Sequence, residues 1–98
     1  MKLVRDTIPS LMKNKGQTPI THIANRKEFE EYLIKKLDEE INEIKQDTNI
    51  EELADLLEVI YALGNLIEVT PEQIEKVRLK KVNTNGGFSK KIILENPK

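Results

Sequence analysis

Cysteine and tryptophan are absent from this chain of 98 residues, and histidine occurs once, as His22. Without cysteine the chain forms neither disulfide bonds nor thiolate metal sites, and one imidazole does not build a histidine-based zinc site. The side chains that remain as metal ligands are carboxylates, and the chain has 17 aspartate and glutamate residues. Any metal bound here is therefore expected to be one that prefers oxygen ligands.

The chain also lacks an excess of charge and a long apolar run. Sixteen basic and 17 acidic residues give a formal net charge of −1, which offers no sequence-wide attraction to nucleic acid or to an anionic membrane. Glu58 and Glu68 interrupt the most apolar stretch, which stays short of the roughly 18 residues that a membrane span needs. With no recognisable signal peptide, we expect a cytoplasmic protein that binds neither a nucleic acid polymer nor a membrane.

Aromatic residues are scarce, at 4%, while glutamate, lysine, leucine and isoleucine dominate, which favours an all-α fold. Helix N-termini are indicated where a capping residue precedes an acid or amide by three positions. The pairs are Asn25 with Glu28, Thr48 with Glu51, and Thr70 with Gln73. We predict a single domain over residues 1–98, a bundle of three longer helices near 26–46, 49–68 and 71–82, with a short N-terminal helix near 9–14 and short extended termini.

Two acidic motifs lie on the first two long helices, "EEINE" at 39–43 and "ELAD" at 52–55. At about 100° per residue, Glu40 projects onto the apolar side of its helix and Glu43 onto the boundary. Glu52 likewise projects onto the apolar side of the next helix, with Asp55 at the rim. Because only a few residues separate the helices, they are expected to be antiparallel neighbours whose four carboxylates face one cavity.

Such a cluster needs compensation, since like charges a few ångströms apart raise one another's pKa or require a cation. An all-oxygen site suits Mg²⁺, with Mn²⁺ as the alternative, and Mg²⁺ commonly completes its shell with substrate phosphates. The competing interpretation is that these acids face solvent or pair with lysines such as Lys45. Their projection onto apolar faces favours the metal site, because an unpaired buried carboxylate is costly.

The motifs Glu39-Glu40-x-x-Glu43 and Glu52-x-x-Asp55 resemble the signature of the all-α nucleotide pyrophosphohydrolases, the superfamily of MazG, dimeric dUTPase and phosphoribosyl-ATP pyrophosphohydrolase. The segment "ELADLLEVIYAL" looks like the second helix of that family. The opening "KLVRDTIP" and the closing "GGFSKKIIL" look like a small MazG-like branch of house-cleaning phosphohydrolases. The resemblance spans nearly the whole chain.

This resemblance implies a MazG-like bundle that binds Mg²⁺ and hydrolyses a nucleoside triphosphate to a monophosphate and pyrophosphate. The implied metal ligands are Glu40, Glu43, Glu52 and Asp55. Glu39 is expected to orient or deprotonate the attacking water. A homodimer or higher homo-oligomer is also implied, in keeping with the wide apolar surface of the second long helix.

A phosphate chain needs cationic side chains as well as a metal. The candidates are Lys36, which shares a helix edge with the acids, and Arg5, Arg78 and Lys81, chosen partly by the resemblance. A structural role is the alternative for each, with Arg5 paired to an acid and the other cations favouring a helix C-terminus. The branch usually has lysine where Thr7 stands and arginine where Asn85 stands, so two phosphate contacts differ here.

The leading prediction is Mg²⁺-dependent pyrophosphohydrolysis of modified or surplus nucleoside triphosphates. Two alternatives stay open at the level of sequence. One is phosphoribosyl-ATP hydrolysis, which shares the acidic motifs, although the opening and closing segments favour the first activity. The other is a non-catalytic helical oligomerisation module whose acids hold a structural cation or bind a basic partner.

Overall fold

A computed structural model describes residues 1–96 as four helices, with no strand in that range. The helices are α1 (Ile8–Asn14), α2 (Arg26–Gln46), α3 (Ile50–Leu66) and α4 (Pro71–Asn85). The predicted all-α class is thus confirmed, while residues 97 and 98 of the predicted domain lie outside the described part. Residues 1–5 are irregular, but "FSKKIIL" is not simply extended, because Lys91 N–H donates to the Phe88 carbonyl at 3.1 Å.

The short link between α2 and α3 is fixed by two polar side chains. Asn49 caps α3, since its Oδ1 accepts from the backbone N–H of Glu52 at 2.9 Å. Thr48 closes the other side, where its hydroxyl donates to the Ile44 carbonyl at 2.8 Å near the end of α2. The predicted N-cap at Thr48 was therefore wrong by one residue, because the hydroxyl satisfies a helix C-terminus and the amide caps the next N-terminus. The caps at Asn25 and Thr70 are confirmed.

Helix α3 ends two residues before the predicted position, in a Schellman motif. Val69 N–H donates to the Gly64 carbonyl at 2.8 Å and Glu68 N–H to the Asn65 carbonyl at 3.1 Å. The motif needs a residue in the left-handed conformation just after the helix, and Glu68, with φ of 58°, is that residue. Glycine usually holds this position, which explains why a glutamate there gave no stop signal in the sequence.

Gly64, inside the last turns of α3, permits a close approach that a larger residue would block. A Cβ placed there would lie 3.1 Å from both Ile74 Cδ1 and the Val69 carbonyl oxygen. The turn after α3 thus folds back tightly enough to bring the first turns of α4 against Gly64. Helix α4 itself runs three residues beyond the predicted end, to Asn85, and Gly86 follows with φ of 82°.

The chain forms two compact units, the first covering Met1–Leu63 and the second beginning at Gly64. In residues 1–96 the only fully buried large apolar side chains are Leu33 on α2, 2% exposed, and Val59 on α3, 6% exposed. Single-domain organisation stays a prediction. None of the helices within this range combines the length and apolar content that crossing a membrane requires.

Two apolar stripes remain exposed in the first unit. On α2 the stripe consists of Ile34 and Ile41, seven residues apart, and on α3 it consists of Ile50, Leu53 and Leu57. The spacings of three, four and seven residues place each set on one face of its helix. The apolar positions that predicted extensive packing for α3 are thus partly exposed within one chain.

The left-handed conformation of Glu68 generates a stability prediction. Glu68→Gly is expected to raise the free energy of unfolding by about 0.5–1 kcal/mol, since strain relief exceeds the added freedom of the unfolded chain. Glu58→Gly, at an exposed interior position of α3, is the matched control and should lower it by about 1 kcal/mol. Urea unfolding followed by circular dichroism measures both, and equal losses in the two variants would contradict the Schellman assignment.

Candidate metal centre

The link of three residues between α2 and α3 brings the two acidic motifs together. Glu40 and Glu43 lie in the last two turns of α2, and Glu52 and Asp55 lie in the first two turns of α3. One carboxylate oxygen from each of Glu40, Glu52 and Asp55 lies within 4.8 Å of the other two. Acids that belong to two different helices thus converge at one end of the helix pair.

Burial makes this cluster different from an ordinary acidic surface. Glu40 is only 7% exposed, and it is the single buried charged residue in the described range. Oε2 of Glu40 and Oε2 of Glu52 are both buried, and no hydrogen-bond donor of residues 1–96 reaches either of them. Because a buried acceptor without a partner costs free energy, the two oxygens together indicate a site that binds a cation or a proton.

The pKa values of Glu40 and Glu52 are raised, the direction that burial and crowding of carboxylates predict. Burial is the main cause that raises the pKa of Glu40, and the charges of Asp55 and Glu43 add to it, while Lys36 opposes the shift. A side-chain hydrogen bond with Glu43, followed by partial burial, raises the pKa of Glu52 to about 7. Near neutral pH, Glu52 therefore gains or loses a proton readily, and a cation bound there would displace that proton.

The helix ends add an asymmetry to the cluster. Glu52 occupies the first turn of α3, where the backbone N–H groups favour a negative charge, and Asn49 caps that turn. Glu43 lies near the C-terminus of α2, where the free carbonyl groups disfavour a negative charge. The carboxylates of α2 therefore depend more than those of α3 on a compensating positive charge.

The N-terminal segment supplies a positive charge to Asp55 of α3. The guanidinium of Arg5 donates from Nη2 to Oδ1 of Asp55 at 2.7 Å, across 50 positions of sequence. The side chains are 57% and 41% exposed, so solvent screens this ion pair and the contact is exchangeable. The structural alternative for Arg5, pairing with an acid, is thus observed, and the acid is the distant Asp55.

The donor set fits a hard divalent cation. All three grouped ligands are carboxylate oxygens, and two oxygens that share Mg²⁺ at about 2.1 Å each lie at most about 4.2 Å apart. The three oxygens of Glu40, Glu52 and Asp55 lie within 4.8 Å of one another, so their side chains would have to move closer together to bind one cation. Glu43 interacts with Glu52 but is not one of the three grouped carboxylates, so its role as a fourth ligand stays a prediction.

The other predicted site residues fall into two groups. Glu39 is exposed beside Glu40, and its Oε2 lies 3.7 Å from Nζ of Lys36, which is half-buried. Arg78 and Lys81 are on α4 in the second unit, both exposed, and Arg78 binds Glu75 through Nε at 2.8 Å. Lys36 thus lies at the cluster, whereas Arg78 already has an acidic partner within its own helix.

The sequence did not reveal a cavity of about 410 Å³ in the first unit. Its walls come from residues 1–6, from residues 20–24 and from the first turns of α2, where Phe29 and Tyr32 face it. His22, which had no evident partner in the sequence, lies 2.9 Å from Glu28 through its Nε2. Irregular segments without periodicity form most of this cavity, so no local pattern could have indicated it.

Comparisons of this chain with the models of known protein families, with characterised proteins and with solved structures give no significant match.

The raised pKa of Glu52 predicts a dependence of stability on pH. Glu52 holds its proton to about pH 7 when folded and to about 4.5 when unfolded, so stability should fall as pH rises between these values in the presence of a chelator. Glu52→Gln should not show this loss of stability, and above pH 7 it should unfold at a higher temperature than wild type. Mg²⁺ or Mn²⁺ should raise the melting temperature of wild type only.

Thermal unfolding at several pH values, with chelator and with each cation, measures these effects. Glu51→Gln, a neighbouring exposed acid in the same helical turn, is the control and should behave as wild type does. A difference between wild type and Glu52→Gln that stays constant from pH 4.5 to 8, or a cation response that survives in Glu52→Gln, would contradict the site.

Proposed function

We propose that this protein is a MazG-like, Mg²⁺-dependent nucleoside triphosphate pyrophosphohydrolase, with Mn²⁺ as an alternative cation. The observation that carries the proposal is Glu40, a buried carboxylate with an unpartnered Oε2 within reach of Glu52 and Asp55. A carboxylate triad supports Mg²⁺, and Mg²⁺ in proteins is commonly shared with substrate phosphates. The acidic signature and the terminal segments support the nucleotide as substrate.

The reaction exchanges one bond for another. The oxygen of water forms a new bond to phosphorus, the bridging bond between the α- and β-phosphates breaks, and one proton is released as a monophosphate and pyrophosphate form. Bound Mg²⁺ would lower the pKa of water and neutralise charge on the phosphates. The chain contributes the carboxylates that would hold the cation, and the burial of Glu40 keeps its carboxylate in place.

Glu39 is proposed to take the proton from the attacking water. Its carboxylate lies beside Glu40 but outside the buried triad, and its exposure leaves it free to exchange a proton with solvent. Lys36, whose Nζ lies 3.7 Å from Oε2 of Glu39, supplies positive charge towards the phosphates. Arg5, Arg78 and Lys81 are proposed as further phosphate contacts, with Arg5 supported by its position against Asp55.

We propose further that the protein is a homodimer or higher homo-oligomer. One chain fully buries two large apolar side chains in the described range, which is a small core for a domain of this size. The apolar stripes of α2 and α3 would bury additional area by packing against a second copy. Both stripes lie on the helices that also carry the carboxylates, so the proposed interface would form on the same two helices as the candidate metal site.

Loss of a metal ligand is expected to remove the activity. Glu40→Gln and Asp55→Asn should each lower kcat/KM for nucleoside triphosphates by more than about 100-fold, because either change removes a direct ligand of the cation. Pyrophosphate release from a panel of triphosphates, with Mg²⁺ and with chelator, measures this. Glu51→Gln, an exposed acid outside the triad, should keep wild-type activity.

Well-folded protein that releases no pyrophosphate from any nucleotide would overturn the enzymatic proposal and leave a cation-binding module. Activity that survives Glu40→Gln would overturn the site assignment instead. Residual activity at high Mg²⁺ in Asp55→Asn but not in Glu40→Gln would agree with the greater burial of Glu40.

The oligomeric state generates a separate prediction. Leu53→Glu, on the exposed stripe of α3, should lower the sedimentation mass towards that of one chain by placing charge in the interface. Val77→Glu, at a similarly exposed position of α4, is the control and should keep the wild-type mass. Wild-type protein that sediments as a monomer at micromolar concentration would contradict the proposed assembly.

A further inference from the structure

The cavity of about 410 Å³ in the first unit has a size suited to a small organic ligand. Residues 1–6 form one wall, residues 20–24 form the rim opposite, and Glu28, Phe29 and Tyr32 of α2 form the floor. Ile20 and Ile23 of the rim are almost fully exposed, so a molecule entering the cavity would cover apolar surface that the chain itself leaves open.

Arg5 connects this cavity to the carboxylate cluster. Its side chain lines the cavity, and its guanidinium binds Oδ1 of Asp55 at 2.7 Å. One residue therefore separates the cavity from a candidate ligand of the cation. A phosphate chain that extends from the cavity towards the carboxylate cluster would come within reach of the N–H donors of Arg5.

Helix α2 also extends from the cavity to the carboxylate cluster. Phe29, Tyr32, Lys36, Glu40 and Glu43 follow one another at spacings of three or four residues, so they lie along one face of the helix. The face changes from aromatic to cationic to acidic along its length. At 1.5 Å per residue, Tyr32 and Glu40 are about 12 Å apart along the axis, a separation that an extended nucleotide can span.

The floor of the cavity has the chemistry that a nucleobase needs. Phe29 and Tyr32 offer aromatic surface, and the ring of Tyr32 is held by Lys35, whose Nζ lies 4.7 Å from the ring centroid. His22 and Glu28, 2.9 Å apart, place polar atoms at the edge. Planar heteroaromatic rings bind where stacking surface and a few hydrogen-bonding groups occur together.

We propose that this cavity binds the nucleobase of the substrate, with Tyr32 and Phe29 packing on the ring, His22 and Glu28 at its polar edge, and Arg5 on the phosphate chain. This assignment rests on the proposed function, which places the phosphates at the carboxylates. It makes the irregular N-terminal segments the part of the chain that recognises the base, while α2 and α3 supply the chemistry.

The experiment compares two ligands that share the phosphates but differ in the base. Isothermal titration with Mg²⁺ measures the binding of α,β-imido analogues of the common purine and pyrimidine nucleoside triphosphates, and of inorganic tripolyphosphate. Wild type should bind its preferred nucleotide analogue at least about tenfold more tightly than tripolyphosphate, in line with the stacking of a base on aromatic side chains. Equal affinities for tripolyphosphate and every analogue would overturn the assignment.

Tyr32→Ala should reduce this preference to less than about threefold while tripolyphosphate binding stays unchanged. The double variant Ile20→Ser, Ile23→Ser tests the rim at exposed positions, where the fold should be unaffected, and it should reduce the preference too. Its matched control is Ile67→Ser, Ile92→Ser, which alters two other exposed isoleucines outside both the cavity and the apolar stripes and should keep the full preference. An unchanged preference in the rim variant and in folded Tyr32→Ala would place the base elsewhere.

The two proposals fail in different ways. If no nucleotide is hydrolysed but the preference over tripolyphosphate depends on Tyr32, the base site stands and the proposed activity falls. If nucleotides are hydrolysed and the preference is absent, or is present but independent of Tyr32 and the rim, the activity stands and the base site falls.

Discussion

The crowding of carboxylates at the junction of α2 and α3 is the constraint on which the other features of the first unit depend. The two acidic motifs meet because a link of three residues joins the helices, with Asn49 and Thr48 satisfying the backbone on its two sides. Three kinds of partner can relieve the repulsion that results: a shared proton, the guanidinium of Arg5, or a divalent cation. Because these partners compete for the same carboxylates, the net charge at this junction depends on which of them is bound.

A second theme is the division of work between helices and irregular segments. Helices α2 and α3 hold rigid carboxylates, since Glu40 is fixed by burial and Glu52 by its place in a capped first turn. The segments 1–6 and 20–24 provide adaptable walls around an open cavity. Irregular surface segments change sequence at lower cost than packed helices do, so the walls of the cavity are freer to vary than the helices that carry the carboxylates.

The sequence predicted those features that local chemistry determines. Helix positions followed from periodicity and caps, and the meeting of the acidic motifs followed from the short link between α2 and α3. Of the four carboxylates predicted to converge, those of Glu40, Glu52 and Asp55 are grouped within 4.8 Å. Thr48 and Asn49 could not be separated, because both are good capping residues and only the fold assigns one to each helix. The ion pair of Arg5 with Asp55 and the cavity beside it were also beyond local reasoning, since the partners lie 50 positions apart and no periodic pattern links them.

That long separation has a consequence for the order of folding. The link, the caps and the acidic motifs are formed by residues close in sequence, so α2 and α3 can meet with little loss of loop entropy. The N-terminal segment reaches Asp55 only after both helices are in place, and on a ribosome it would wait with its apolar residues uncovered until α3 had emerged. The segment of this unit that is synthesised before its helices is thus the last to reach its place, and the acidic junction lacks the positive charge of Arg5 until it arrives.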